Sequence, residues 1–180
     1  MSQKLRFIFI IAAIVLVCDQ VTKWWVVAHM PFGTEWQIHP AFFSLVHYRN
    51  KGAAFGFLSG WDSQFRDIFF YVLAFLALGL LFSLVKQVPD DRKAKVLPIA
   101  LIFGGALGNI LDRIFRGSVV DFLLVHWDNQ HVSWSLGTFS LDFDLIWPAF
   151  NVADSAITVG VVCLMIQMLT EPKKEALDTH

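Results

Sequence analysis

Ionisable and amide residues stand in this chain where apolar ones would be expected. Asp19 and Lys23 interrupt a long apolar run and lie four apart, on one helical face. Asn109 and Asp112 lie three apart at the end of the Gly-rich run from Gly104 to Arg113. Asp121 is the single carboxylate in Val119-Val120-Asp121-Phe122-Leu123-Leu124. Asn151 and Asp154 open the last apolar run, in Phe150-Asn151-Val152-Ala153-Asp154-Ser155. A lone Asp among apolar residues is either desolvated, with a raised pKa, or paired. Two carboxylates brought together share one proton. One member can then activate water while the other protonates a leaving amine. That is the chemistry of aspartic proteases, and Asp121 and Asp154 are the candidates. Neither sits in an Asp-Thr/Ser-Gly motif, so a pepsin-like soluble fold is not indicated.

Each of these residues also has a purely structural reading. Asp19 and Lys23 suit an i,i+4 pair that locks one helix against its neighbours. Gly104 and Gly108 form a small-xxx-small face that admits a second helix. Arg113 can pair with a carboxylate or a lipid phosphate. Asn151 is a good N-cap, which puts Asp154 at the third helical position, facing the positive end of the helix dipole.

The elements that must position these groups are membrane helices. Of 180 residues, 56% are hydrophobic, 16% are charged and 18 are Phe. Mean hydropathy is +0.58. Soluble domains carry about 45–50% apolar and about 25% charged residues. A disordered chain and an ordinary soluble enzyme are excluded. A nucleic-acid partner is excluded too, since 14 Lys+Arg face 15 Asp+Glu and leave no basic stripe. Four spans are expected in a single domain, at about 7–28, 68–85, 96–111 and 154–169, with a mainly helical fold. Lys4, Arg6, Lys86, Arg92, Lys93, Lys95, Lys173 and Lys174 fall on one side of them. Arg49, Lys51, Arg66, Arg113 and Arg116 fall on the other, over longer loops. The positive-inside rule then places both termini in the cytoplasm. The first span lacks an A-x-A site and reads as uncleaved. Cys18 and Cys163 lie within spans and read as buried free thiols. No metal motif stands out.

The extracytoplasmic segments, about 29–67 and 113–151, are expected to form a small β platform. The first is rich in aromatics, among them Trp36, Phe42, Phe43, Tyr48, Phe55, Phe57 and Trp61. Phe42–Tyr48 reads as strand and Arg49-Asn50-Lys51-Gly52 as a turn. Such a segment is either an aromatic belt at the headgroups or a platform for a lipid-linked ligand. In the second, alternation around Gly137-Thr138 predicts a β-hairpin with a type II′ turn. Its apolar face would carry Val132, Trp134, Leu136, Phe139, Leu141 and Phe143.

The motifs Asp19-Gln20-Val21-Thr22-Lys23, Arg49 through Gly56, Gly104 through Arg113, Val119 through Phe122 and Phe150 through Ser155 occur in the order seen in one family. The chain resembles the lipoprotein signal peptidases, also called signal peptidase II. The resemblance implies a multi-pass aspartic endopeptidase of the bacterial inner membrane, with its active site near the periplasmic face. It implies prolipoprotein substrates whose lipobox Cys carries diacylglycerol, cut just before that Cys. It implies a catalytic dyad at Asp121 and Asp154, without metal or cofactor. Supporting or substrate-binding positions fall on Asp19, Lys23, Asn50, Gly108, Asn109, Asp112, Arg113, Asn151 and Ala153. Membrane lipids and globomycin-type inhibitors are the further expected partners, and a monomer the expected state. The stretch between Asp121 and Asp154 is longer than the family usually shows, and the surplus coincides with the predicted hairpin. Two rivals remain, a small transporter and a non-catalytic scaffold. A transporter would need polar residues reaching both sides and usually a repeat, neither of which is present.

Overall fold

A computed structural model describes residues 2–51, 63–90, 93–136 and 139–170. Helix α1 spans Gln3–His29, α2 Ser63–Gln87, α3 Leu97–Arg116 and α4 Val152–Thr170. Each is long and apolar enough to cross a membrane. A 3-10 turn at Lys93–Val96 leads into α3. The strands are β1 Glu35–His39, β2 Phe43–Asn50, β3 Val119–Leu136 and β4 Phe139–Ile146. They pair antiparallel in the order β1-β2-β3-β4.

Helix α1 shows how a membrane protein inverts the soluble pattern. Its buried residues are Ile8, Ala12, Val15, Asp19, Lys23 and Val26, spaced by three or four. That spacing is one helical face. The opposite face shows Phe9, Ile10, Ile14, Val17, Val21 and Trp24 outward. The charged pair is therefore inside and the apolar side chains are outside, as a lipid solvent demands.

Helix α3 is the central helix, and glycines let its neighbours close on it. A Cβ at Gly104 would lie 2.8 Å from the Ala12 carbonyl oxygen of α1. A Cβ at Gly105 would lie 2.5 Å from the Ala153 carbonyl oxygen of α4. From the α4 side, a Cβ at Gly160 would meet the Pro98 carbonyl oxygen at 2.8 Å. The expected small-xxx-small packing is thus present, and it works on two faces of α3. An apolar cluster of Ile8, Leu81, Val85, Val96, Ile99, Ala100 and Ile102 seals one end of the bundle. A second, Val26, Met30, Val120 and Phe122, joins the helices to the sheet. The polar residues lie between these clusters.

Several boundaries differ from the expected ones. Helix α3 continues past residue 111 to Arg116 and stops where Gly117 adopts φ 69°, a left-handed cap that glycine reaches without strain. Arg49 and Asn50 form no turn. They extend β2 and pair with Val120 and Val119, because β3 begins early enough to receive them. Lys51 follows the strand, and Gly52, Phe55, Phe57 and Trp61 lie outside the described residues. Cys18 and Cys163 are free, but neither is buried: Cys18 is exposed on the outward face of α1 and Cys163 is half-buried. The hairpin is present with the expected register. Leu136 pairs with Phe139, Trp134 with Leu141 and Val132 with Phe143, which puts all six apolar positions on one face. The turn residues Gly137 and Thr138 lie outside the described residues. The hairpin's first strand is the same β3 that carries Asp121.

Candidate active site

The site begins with a buried ion cluster between α1 and α3. Lys23 Nζ lies 2.9 Å from Asp19 Oδ2 and 3.0 Å from Asp112 Oδ2, with all three side chains fully buried. Its third partner is Asn109 Oδ1, at 3.0 Å. An ammonium has three donors, and here all three are used. The carboxylates in turn hold backbone. Asp19 Oδ1 accepts from Ala153 N at 3.0 Å, at the start of α4. Asp112 Oδ2 accepts from Val120 N at 3.0 Å, at the start of β3. Gly108 is required here, since a Cβ would lie 2.5 Å from Asp19 Oδ2. One cation thus ties four elements together.

Two further contacts set the positions of Asp121 and Asp154. Phe150 bridges to β3: Phe122 N and Leu123 N donate to its carbonyl oxygen, and its N donates to the Leu123 oxygen. The strand bearing Asp121 is therefore clipped to the segment that starts α4. Asn151 then caps that helix, with Oδ1 accepting from Asp154 N at 2.9 Å. Asp154 Oδ2 accepts in return from Asn151 N at 3.2 Å. This is a reciprocal capping box. The structural reading of Asp154 is correct, yet it leaves the other oxygen for further contacts. Asp154 Oδ1 accepts from Asn109 Nδ2 at 2.8 Å. Asn151 Nδ2 reaches Asp121 Oδ1, also at 2.8 Å. The side chain of Asn50 hydrogen-bonds Asp121 from β2. The two carboxylates are close enough to interact through their charges.

Their surroundings are unequal. Asp121 is buried and Asp154 only half-buried. Burial raises the Asp121 pKa to about 7, with help from the charge of Asp154, against hydrogen bonds from Asn50 and Asn151. A carboxyl that holds a proton near neutral pH, beside a second carboxylate at a helix N-terminus, has what general acid–base chemistry requires.

Of the residues expected around the pair, Asn50, Asn109 and Asn151 hydrogen-bond the two carboxylates directly, while Asp19, Lys23, Gly108, Asp112 and Ala153 meet in the adjoining ion cluster. Arg113 lies beside the cluster on α3, within reach of the charges of Asp154 and Asp121. Its Nη1 donates to the Asn109 carbonyl oxygen at 3.1 Å, and its guanidinium stacks over the Phe70 ring of α2 at 4.8 Å. Arg116 pairs with Asp112 and also donates to Gln20 Oε1 at 2.8 Å. Adjacent residues on a helix diverge, whereas i,i+4 residues share a face. Gln20 and Arg116 are therefore supporting residues that the motifs alone did not single out. The Asp112–Arg116 spacing, which repeats that of Asp19–Lys23, is the signal that would have found the second.

This geometry has known counterparts. The family described as Signal peptidase (SPase) II matches residues 11–170. A lipoprotein signal peptidase from Syntrophus aciditrophicus (strain SB) is 38% identical over 177 residues, 98% of this chain and 100% of that protein. One from Geobacter metallireducens is 36% identical over 178 residues, 99% of each chain. A solved bacterial membrane enzyme, determined by the in meso method at 2.3 Å, superposes with a TM-score of 0.72 at 31% identity. It covers 100% of this chain and 99% of that one. Four apolar helices, a small antiparallel sheet and near-complete alignment agree, and the chain belongs to the signal peptidase II family of membrane peptidases.

Proposed function

We propose that this chain is an aspartic endopeptidase of the bacterial inner membrane. It removes signal peptides from prolipoproteins whose lipobox Cys carries diacylglycerol, cutting just before that Cys. The observation that carries the reading is the pair Asp121 and Asp154, on separate elements and held by Asn151 and Asn109. Substrate enters sideways from the bilayer, because its signal helix and acyl chains are both lipid-soluble. Asp154, an acceptor at the positive end of α4, takes a proton from the attacking water. Asp121, which keeps its proton to about pH 7, polarises the carbonyl oxygen. A proton returns to the leaving amine as the C–N bond breaks. The proton count belongs to the pair rather than to either member. Globomycin-type peptides would occupy the same site. The working unit is a monomer, with both termini in the cytoplasm.

The test is cleavage of a prolipoprotein by the purified full chain, with and without the diacylglyceryl group. The expected product is a mature chain beginning at the lipidated Cys, read by mass spectrometry. Cleavage of the unmodified precursor at an equal rate, or at another bond, would contradict the reading.

A further inference from the structure

Cations at the dyad end of the bundle run against the positive-inside bias, so each needs a reason. Three of them, Arg49, Lys51 and Arg116, converge on one cleft of about 530 Å³, completed by Val27, Phe32 and Ser118. Asp121 and Asp154 do not line it, and among the described residues no other carboxylate does. Arg116 holds Asp112 and Gln20 through Nη1. Arg49 and Lys51 form no ion pair among the described residues. The C-terminal end of α3 opposes an anion, but only over its last turn, where Arg113 and Arg116 offset it. The cleft is therefore net positive.

Its depth and walls say which anion fits. Trp24 and Trp25 lie on the same turn of α1 as Val27 and face outward, as aromatics do at headgroup level. Phe32 is exposed just beyond the helix. A free phosphate would have no use for this apolar wall, whereas a phospholipid presents a phosphate and acyl chains together. We propose that this cleft binds the phosphate headgroup of an anionic membrane phospholipid, with Arg49 and Lys51 on the phosphate and Val27 and Phe32 along the first acyl carbons. The site is separate from the dyad, but Arg116 joins it through Asp112 to Lys23. A bound lipid would steady the cluster that holds β3 and α4.

The test is a binding measurement, independent of peptidase activity. The full chain in neutral detergent is loaded with phosphatidylglycerol or phosphatidylcholine, and retained lipid is read by native mass spectrometry. The wild type should retain phosphatidylglycerol preferentially. The double variant Arg49→Gln, Lys51→Gln should lose that retention by roughly 10- to 30-fold, the size expected for two interfacial cations. The charge-conserving pair Arg49→Lys, Lys51→Arg should keep it, as should Arg6→Gln at the opposite end of α1. If the double variant fails to fold, Lys51→Gln alone, on an exposed side chain, carries the test. Equal retention of both lipids by the wild type would overturn the proposal. So would unchanged retention by the Gln variant, or displacement of phosphatidylglycerol by inorganic phosphate at equal concentration.

Discussion

Asp154 caps a helix and still keeps one carboxylate oxygen for a second contact. One carboxylate oxygen closes the capping box with Asn151, and the other meets Asn109. Its cap role was legible from spacing alone. Its approach to Asp121 was not, because that depends on the Phe150 bridge, a tertiary contact with no local pattern. Asp121 makes two pH predictions. Its carboxyl titrates at about 7 in the folded chain against 3.8 for an ordinary Asp. Between those values the folded chain holds a proton that the unfolded chain has lost. Stability from this group is therefore fully present below the lower value and declines as pH rises through the upper one. Thermal unfolding in detergent should show the wild type losing stability from about pH 4 to about pH 7, by more than Asp121→Asn does. Cleavage should also fall above about pH 7, as the pair loses its one proton. A rate still rising at pH 9 would contradict the assignment of Asp121 as the acid.

At the scale of elements, one buried cation and a few glycines hold the site together. Lys23→Met leaves Asp19 buried without its counter-ion and Asp112 with Arg116 alone. Removing one partner of a buried pair costs about 3–5 kcal/mol, so this variant should melt well below the wild type. The glycines should separate by position. Gly105→Ala drives a methyl against the Ala153 backbone of α4 and should cost about 1–3 kcal/mol. Gly79→Ala meets nothing within 4 Å on α2 and should be neutral or stabilising by up to about 1 kcal/mol. Unfolding midpoints of the two variants, measured side by side, check the contrast. The Gly104–Gly108 face was legible because small residues four apart have one main use in a membrane. The face made by Gly105 and Gly160 was missed, since it joins positions 55 apart in sequence. Arg116 was missed because α3 runs past the expected end of the third span and carries it, one turn on, onto the face of Asp112.

At the scale of the whole molecule, a polar layer lies between two apolar clusters, and the spans carry it to one end of the bundle. The four spans were legible from hydropathy, which responds to solvent and not to partners. The sheet was legible only in part. Alternation gave the β3–β4 pairing, but not that β3 runs unbroken from the dyad into the hairpin. The proposed orientation, with both termini in the cytoplasm, predicts that a phosphatase reporter fused after His180 stays inactive, while one inserted at the hairpin turn is active. We propose Asp121 and Asp154 as the catalytic pair. The most direct test is the rate at which the purified wild type, Asp121→Asn and Asp154→Asn cut a diacylglyceryl-modified prolipoprotein, with folding checked for each. Both variants should fold and lose at least ~10³ of the rate, as expected when acid–base catalysis is removed. A folded variant of either kind that cuts at near the wild-type rate would contradict the account and reduce that aspartate to a structural residue.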